Sequence, residues 1–278
     1  MIGLENRCKN CHHHLLLDQK YCHACGQKSD THRINFHFLL HEIQHGIFHV
    51  DGGIVFTLKE LFTRPGHTLR EYLEGKRKAH FPPILFVLIM GSVCALIQFF
   101  LNHKVEKKED SVVESNLPQN EIGQYIDFKG FVAYFTHIFD WLGEHLAFTI
   151  LLMLPISGLA FFLGFRKYKY NYPEWLVILL FLAGQCLTVY VFFIFINHFL
   201  GDYNLLFYII CLALVTLCLI QLFNQRGKWY VVLRTFWSFF LSYFFSVIYI
   251  IFVILILIGL GLLLYGYDNI IPRILNKG

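Results

Sequence analysis

The sequence predicts an all-α integral membrane helical bundle of about five transmembrane helices with a small N-terminal zinc ribbon. Three observations carry this expectation. The chain is 56% hydrophobic and only 15% charged, whereas a soluble chain is charged at about a quarter of its positions, so too few charges remain here to coat a water-facing surface. From Pro82 onward the apolar residues gather into runs near the ~20 residues that a bilayer core demands. The first eighty residues contain no such run and hold instead 11 of the 15 His and four of the eight Cys.

This contrast divides the chain into residues 1–30 (zinc ribbon), 31–81 (cytosolic-face amphipathic helices with an Arg-Pro-Gly turn) and 82–278 (a five-span transmembrane domain). The net charge of +4 is modest, which argues against nucleic acid as a partner. Met1 to Cys8 runs into a polar segment with no apolar core of a signal peptide, so the N-terminus is expected in the cytosol, where thiols stay reduced.

The expected spans are Pro83–Leu101, Leu146–Phe165, Glu174–Phe199, Leu205–Phe223 and one within Phe236–Leu264. Trp229 to Tyr265 would run about 55 Å as a helix, so its first part, with Arg234, is expected at the interface or in the cytosol. Phe131–His145 reads as an interfacial or extramembrane helix, and Pro155 as a kink in the second span. Tyr168, Tyr170, Tyr172, Trp175, Trp229, Tyr230, Tyr265 and Tyr267 fit an interfacial aromatic belt. No internal repeat stands out.

Loop charge sets the orientation. With the N-terminus inside, Arg166, Lys167, Lys169, Arg226 and Lys228 are cytosolic, behind Lys76, Arg77 and Lys78 ahead of the first span. The short outer loop at Gly201–Asn204 then carries no base. The lysines of Asn102–Gly130, together with Arg273 and Lys277, count the other way and are outweighed. A multi-pass inner-membrane protein with its N-terminus cytosolic and its C-terminus outside is expected.

The clearest chemical signal is Cys8-x-x-Cys11 followed by Cys22-x-x-Cys25. Each pair brings two thiolates onto one tight turn, and two turns close a tetrahedral shell about zinc. Four filled positions leave no place for water, so this zinc is structural. His12, His13, His14 and His23 are alternative ligands, but four sulfurs are the simpler set. The knob suits a docking surface or a clamp for the N-terminus.

Between Asn35 and Asp51, Phe36, Leu40, Ile43, Ile47 and Val50 recur at helical spacing, with His37, His41, His45 and His49 on a neighbouring face. Within it His41-Glu42-Ile43-Gln44-His45 matches the pattern of zinc peptidases, in which two His bind metal and the Glu activates water. His41 and His45 are thus a candidate second metal site and Glu42 a candidate catalytic base. No third ligand is identifiable, and an interfacial amphipathic helix is the preferred reading.

The next segment holds Gly52-Gly53, Arg64-Pro65-Gly66 and Gly75-Lys76-Arg77-Lys78, turns that separate two short amphipathic helices. Arg64, Arg70, Lys76, Arg77 and Lys78 are candidate headgroup-binding residues at the anionic membrane surface, each worth about 1 kcal/mol; a phosphate-reading pocket is the sharper alternative. Across residues 6–85, the Cys-x-x-Cys pair ending in Cys25-Gly26-Gln27, the His-rich helix leading to His49-Val50-Asp51, Arg64-Pro65-Gly66 and Gly75-Lys76-Arg77 together resemble an uncharacterised bacterial family of zinc-ribbon membrane proteins, a domain of unknown function with an Arg-Pro-Gly motif. The resemblance implies a bacterial inner-membrane protein and brings no activity with it.

Within the membrane half, His137, Asp140, Glu144 and His145 share one helix face near the outer boundary, as a candidate metal or proton-relay cluster or as plain headgroup-level polar residues. Gln98, Gln185, Asn197 and His198 are suited to joining helices by hydrogen bonds. Cys94, Cys186, Cys211 and Cys218 read as small hydrophobes. The leading functional expectation is a non-enzymatic membrane protein whose knob recruits a protein partner, within a lipid-handling or transport assembly. Its other partners are membrane lipids and, as an option, a second copy of itself. The alternatives are a membrane zinc metallohydrolase and a transporter or lipid translocator that recognises a phosphate headgroup.

Overall fold

The computed structural model describes residues 7–16, 19–39, 53–102, 141–143, 145–168, 170–225 and 227–269. Among them seven helices form: α1 Ile54–Thr63, α2 Pro65–Glu74, α3 Pro83–Asn102, α4 Leu146–Gly164, α5 Tyr172–Leu200, α6 Asn204–Leu222 and α7 Lys228–Asn269. Five of these, α3 to α7, are long and apolar enough to cross a membrane. The described residues contain no strand, only two isolated bridges in the knob. The chain is a helical membrane bundle with a cysteine knob at its N-terminus.

Local chemistry explains where the helices begin and stop. Proline at the first position opens α2, where its missing N–H costs nothing. Gly75 closes α2 at φ 109°, a left-handed conformation that glycine adopts without a Cβ penalty. At α5, Asn171 accepts from the Glu174 N–H at 2.8 Å, and the Glu174 carboxylate accepts from the Asn171 N–H at 2.7 Å. This reciprocal pair is a capping box.

α5 is the central helix. Its first half is almost wholly buried, with Trp175, Val177, Ile178, Leu180 and Phe181 at its heart. The ends of α4 and α6 meet it at one level. Phe165 packs on Trp175 at 5.1 Å and on Phe223 at 5.1 Å, and Tyr168 packs on Phe223 at 4.1 Å. These rings form an aromatic girdle inside the bundle where three helix ends meet; Phe165 and Trp175 are fully buried in it, so Trp175 packs in the core and not on a lipid-facing belt.

Elsewhere the bundle turns large apolar side chains outward, among them Phe99, Phe192, Phe199, Phe240 and Phe252, the pattern of helices solvated by lipid.

The last helix runs unbroken from Lys228 to Asn269, with its span within Lys228–Ile256. Arg234 stands beside the girdle, where its Nη1 donates to the Gly164 carbonyl at the end of α4, 2.9 Å away. Pro155 lies inside α4, and its carbonyl accepts from the Tyr172 hydroxyl at 2.9 Å. Polar groups within the spans join helices as expected. Gln98 Nε2 donates to the Tyr190 hydroxyl at 3.1 Å, and Gln185 Nε2 to the Leu61 carbonyl at 2.9 Å. At the far end Asn197 Nδ2 donates to Asn204 Oδ1 at 2.9 Å.

Candidate metal site and the layer that holds it

The knob is built twice over. Cys8 N–H donates to the His13 carbonyl at 2.8 Å, and Cys22 N–H donates to the Gln27 carbonyl at 2.8 Å. His12 N–H returns to the Cys8 carbonyl as Gly26 N–H returns to that of Cys22. Bridges pair Arg7 with His14 and Tyr21 with Lys28. Every element of the first turn recurs fourteen positions later. In the sequence only the two Cys-x-x-Cys pairs announce this repeat; the hydrogen bonds that complete it run between backbone groups and leave no mark on the side chains between and after them. His12 stands at φ 60° where the second turn has Gly26 at φ 72°, so the first turn carries a backbone cost that the second avoids.

The two turns face each other. All four sulfurs lie within 4.8 Å of one another. Cys8 and Cys25 are 3.6 Å apart across the cluster, as are Cys11 and Cys22. A tetrahedral ion with metal–sulfur bonds of ~2.3 Å sets its sulfurs about 3.8 Å apart, so the four thiols fit one ion with little adjustment. Cys8 and Cys22 are buried together with Leu15 in a small core of their own. The neighbouring His residues contribute no ligand to this cluster; the His13 and His23 rings meet edge-on at 4.5 Å.

The knob is fixed to the rest of the chain. Gln27 is buried, and its Oε1 accepts from the backbone N–H groups of Arg77, at 3.2 Å, and Lys78, at 2.8 Å. Lys9 Nζ donates to the Thr31 carbonyl at 3.2 Å. A Cβ at Gly75 would lie 2.5 Å from Thr31 Oγ1, so the end of α2 and the segment leaving the knob touch backbone to side chain.

Beyond the knob the segment around Arg33 is itself bolted to the bundle. The Arg33 guanidinium grips Glu174 in two parallel bonds of 2.7 Å, Nε to Oε1 and Nη2 to Oε2. Asn171 Nδ2 donates to the Ile34 carbonyl at 3.0 Å. Fork-to-fork pairing fixes direction as well as distance, and the Glu174 side chain that receives it is only 5% exposed.

The five basic residues singled out above have partners within the protein. Arg64 pairs with Glu60 one turn earlier, a contact that pushes the guanidinium pKa further up. Arg70 Nη2 donates to the carbonyls of Gln221, at 2.9 Å, and Leu222, at 2.7 Å, covering the last turn of α6. Lys76 pairs with Glu71 at 3.1 Å. Arg77 Nη2 donates to the His32 carbonyl at 2.9 Å, and its guanidinium lies over the Phe38 ring at 4.2 Å. Lys78 keeps an exposed side chain while its N–H serves the Gln27 latch.

The Arg-Pro-Gly turn is a contact point. Gly66 N–H donates to Gln221 Oε1 at 3.1 Å, and a Cβ there would come within 2.5 Å of the Leu222 amide nitrogen. Nearby, His80 is buried between Phe56 and Tyr72, ring centroids at 5.4 and 6.1 Å, with no hydrogen-bond partner at either ring nitrogen. Burial drives its pKa down to about 4 against the opposing pull of Glu71, so the ring is neutral at pH 7.

Several expectations lie outside the described residues. His41, Glu42, His45 and His49 do, as do His137, Asp140 and Glu144. Asn35 Oδ1 accepts from Phe38 N–H at 2.8 Å and caps a helical turn at 36–39, which is as far as the His-rich segment is described. His145 stacks on Trp141 at 4.3 Å and its Nδ1 meets the Trp141 carbonyl at 2.8 Å. The Arg33–Glu174 pair was not anticipated, although Asn171-Tyr172-Pro173-Glu174 carries a readable capping-box signature. Gln27 was legible only as part of a family resemblance.

A family model described as a protein of unknown function (DUF3667) matches residues 51–94. The match covers α1, α2 and the first twelve residues of α3, a narrower and later stretch than the resemblance at 6–85, and the four cysteines fall outside it. No curated protein and no solved structure matches the chain.

Proposed function

We propose that this chain is a non-enzymatic, multi-pass protein of a cytoplasmic (inner) membrane, whose cysteine knob holds one structural zinc and presents a docking surface for a protein partner. Zinc is the ion that suits four thiolates in a tetrahedral shell at reducing potential. The fully sulfur-lined site offers no open coordination position, which fits a structural ion and not a hydrolytic one. With the knob in the cytosol, Arg166, Lys167, Lys228 and Arg234 share its side of the bundle, in keeping with the excess of bases on cytosolic loops.

The observation that carries this reading is the double attachment of the knob. Gln27 holds it to the segment before the first span, and Arg33 holds the segment leaving it to Glu174 of the third. A domain fastened to the bundle at two points is placed to pass what it binds on to the spans. Its outward side carries Leu16 at 67% and Tyr21 at 61% exposure, two apolar side chains of the kind that anchor interfaces. Arg64 and Lys78 keep exposed edges for anionic lipid beside their internal contacts.

The test is a Leu16→Arg/Tyr21→Arg variant in the full chain. Expected is loss of proteins co-purified from detergent-solubilised membranes, with zinc content and membrane insertion unchanged. Retention of the same proteins by the variant would remove the docking surface from the account.

A further inference from the structure

We propose that α1 lies within the cytosolic leaflet of the bilayer, below the headgroups, with its Val55–Phe62 face solvated by lipid acyl chains. The inference rests on the bundle being membrane-embedded and adds a sixth apolar contact with lipid, made by a helix too short to span.

The first observation is which face of α1 is covered. Its ten residues expose Val55 at 70%, Phe56 at 37% and Phe62 at 44%, while Thr57 is fully buried and Glu60 is 8% exposed beside Leu61. In water this arrangement is the wrong way round, since an amphipathic helix turns its apolar stripe to the protein and its polar stripe to solvent. Against acyl chains it is the right way round. Lys59, also on the exposed side, has a four-carbon stem long enough to lift its ammonium to the headgroups.

The second observation is depth. The girdle of Phe165, Trp175 and Phe223 marks where α4 and α6 end. The last turn of α1 touches α5 at Gln185, ten residues past Trp175 and so about 15 Å farther along the helix. The first span begins low as well: a Cβ on Gly184 would collide with the Phe86 ring, on the first turn of α3. α1 and α2 therefore fill the gap above a helix that starts late, with α2 set against the final turn of α6.

The third observation is that the protein satisfies the backbone groups at these helix ends. Lipid offers no hydrogen bonds, so irregular backbone at depth persists only where protein supplies partners. Gln185 Nε2 serves the Leu61 carbonyl, one of the last four of α1. Gln221 Oε1 takes the Gly66 N–H at the start of α2. Thr57 Oγ1 accepts from the Phe81 N–H at 2.7 Å, just before the first span. Arg64 N–H returns to the Glu60 carbonyl at 2.9 Å, and the Arg64 and Glu60 charges neutralise each other at the turn. These placements account for two glutamines inside or at the end of apolar spans and for a fully buried threonine.

Photocrosslinking in vesicles of phosphatidylcholine and phosphatidylglycerol tests this. Benzoyl-phenylalanine is placed in the full chain at Val55, Phe62, Phe240 or Lys28, one site per variant, and adducts are mapped by mass spectrometry. Phe240 faces outward on α7 and reports whether the bundle itself is inserted, and Lys28 lies on the knob. Expected at Val55 and Phe62 are acyl-chain adducts at about the yield of Phe240 and at least about tenfold above Lys28, as burial among acyl chains requires. Yields at the Lys28 level with Phe240 still reactive, adducts confined to headgroup atoms, or a crosslink to the peptide carrying His41–His49 would each overturn the placement of α1. Loss of the Phe240 adduct would overturn it too, by removing the inserted bundle that it presupposes.

Discussion

His80 shows how a single buried side chain ties stability to pH. Its ring is walled by Phe56 and Tyr72, with Glu71 Oε2 at 4.0 Å and Glu60, Arg64 and Lys76 as the other charges around it. The folded protein holds its pKa at about 4, below the 6.5 of the unfolded chain. The unfolded state therefore binds more protons between those values, and stability is full above pH 6.5 and falls as pH drops toward 4. The ceiling on this loss is about 3 kcal/mol. In detergent, the thermal midpoint of the wild type should fall across this window, and a His80→Phe variant should lose that part of the slope. An unchanged slope in the variant would assign the acid sensitivity to other groups. The four cysteines could be read at the same scale because their spacing is itself the signal. Arg33 and Glu174 could not be paired in the same way, because 141 residues separate them and only the fold brings them together.

At the scale of elements, the Arg-Pro-Gly turn couples α2 to the end of α6. Gly66 sits where any side chain would strike Gln221 and the Leu222 amide. Gly66→Ala is expected to cost about 2–3 kcal/mol, since the obstacle is largely backbone that cannot yield. Gly143 faces open space, so Gly143→Ala serves as a near-neutral control. Comparing the two thermal midpoints checks this, and equal midpoints would show that the α2–α6 contact is slack. The spans were legible because hydrophobic length maps directly onto bilayer thickness, and their observed bounds stay within a few residues of expectation for the first four. Arg70, Lys76 and Arg77 show where such reading stops. A base ahead of a span looks alike whether it faces phosphate or caps a helix end, and each of these groups has a carbonyl or carboxylate partner inside the protein.

Over the whole molecule, three layers follow one another: a four-cysteine knob, a basic segment that closes the near end of the bundle, and five apolar helices around α5. The family match covers the middle layer and the start of the first span, and both outer layers are fastened to that middle layer, the knob through Gln27 and the bundle through Gly66, Arg70 and Gln185. Membrane class and knob were accessible from composition and spacing. The fastening was legible only at Gln185, a polar residue inside an apolar span; at Gln27, Gly66 and Arg70 it depends on backbone partners that leave no periodic signal.

The most direct test of this account is the metal content of the purified full-length protein by elemental mass spectrometry. Wild type, Cys22→Ser and a His41→Ala/His45→Ala variant are compared. One structural ion in the knob predicts about one zinc per chain in the wild type and the double-His variant, and close to none in Cys22→Ser. No zinc in the wild type, or about two falling to one when His41 and His45 are removed, would contradict it.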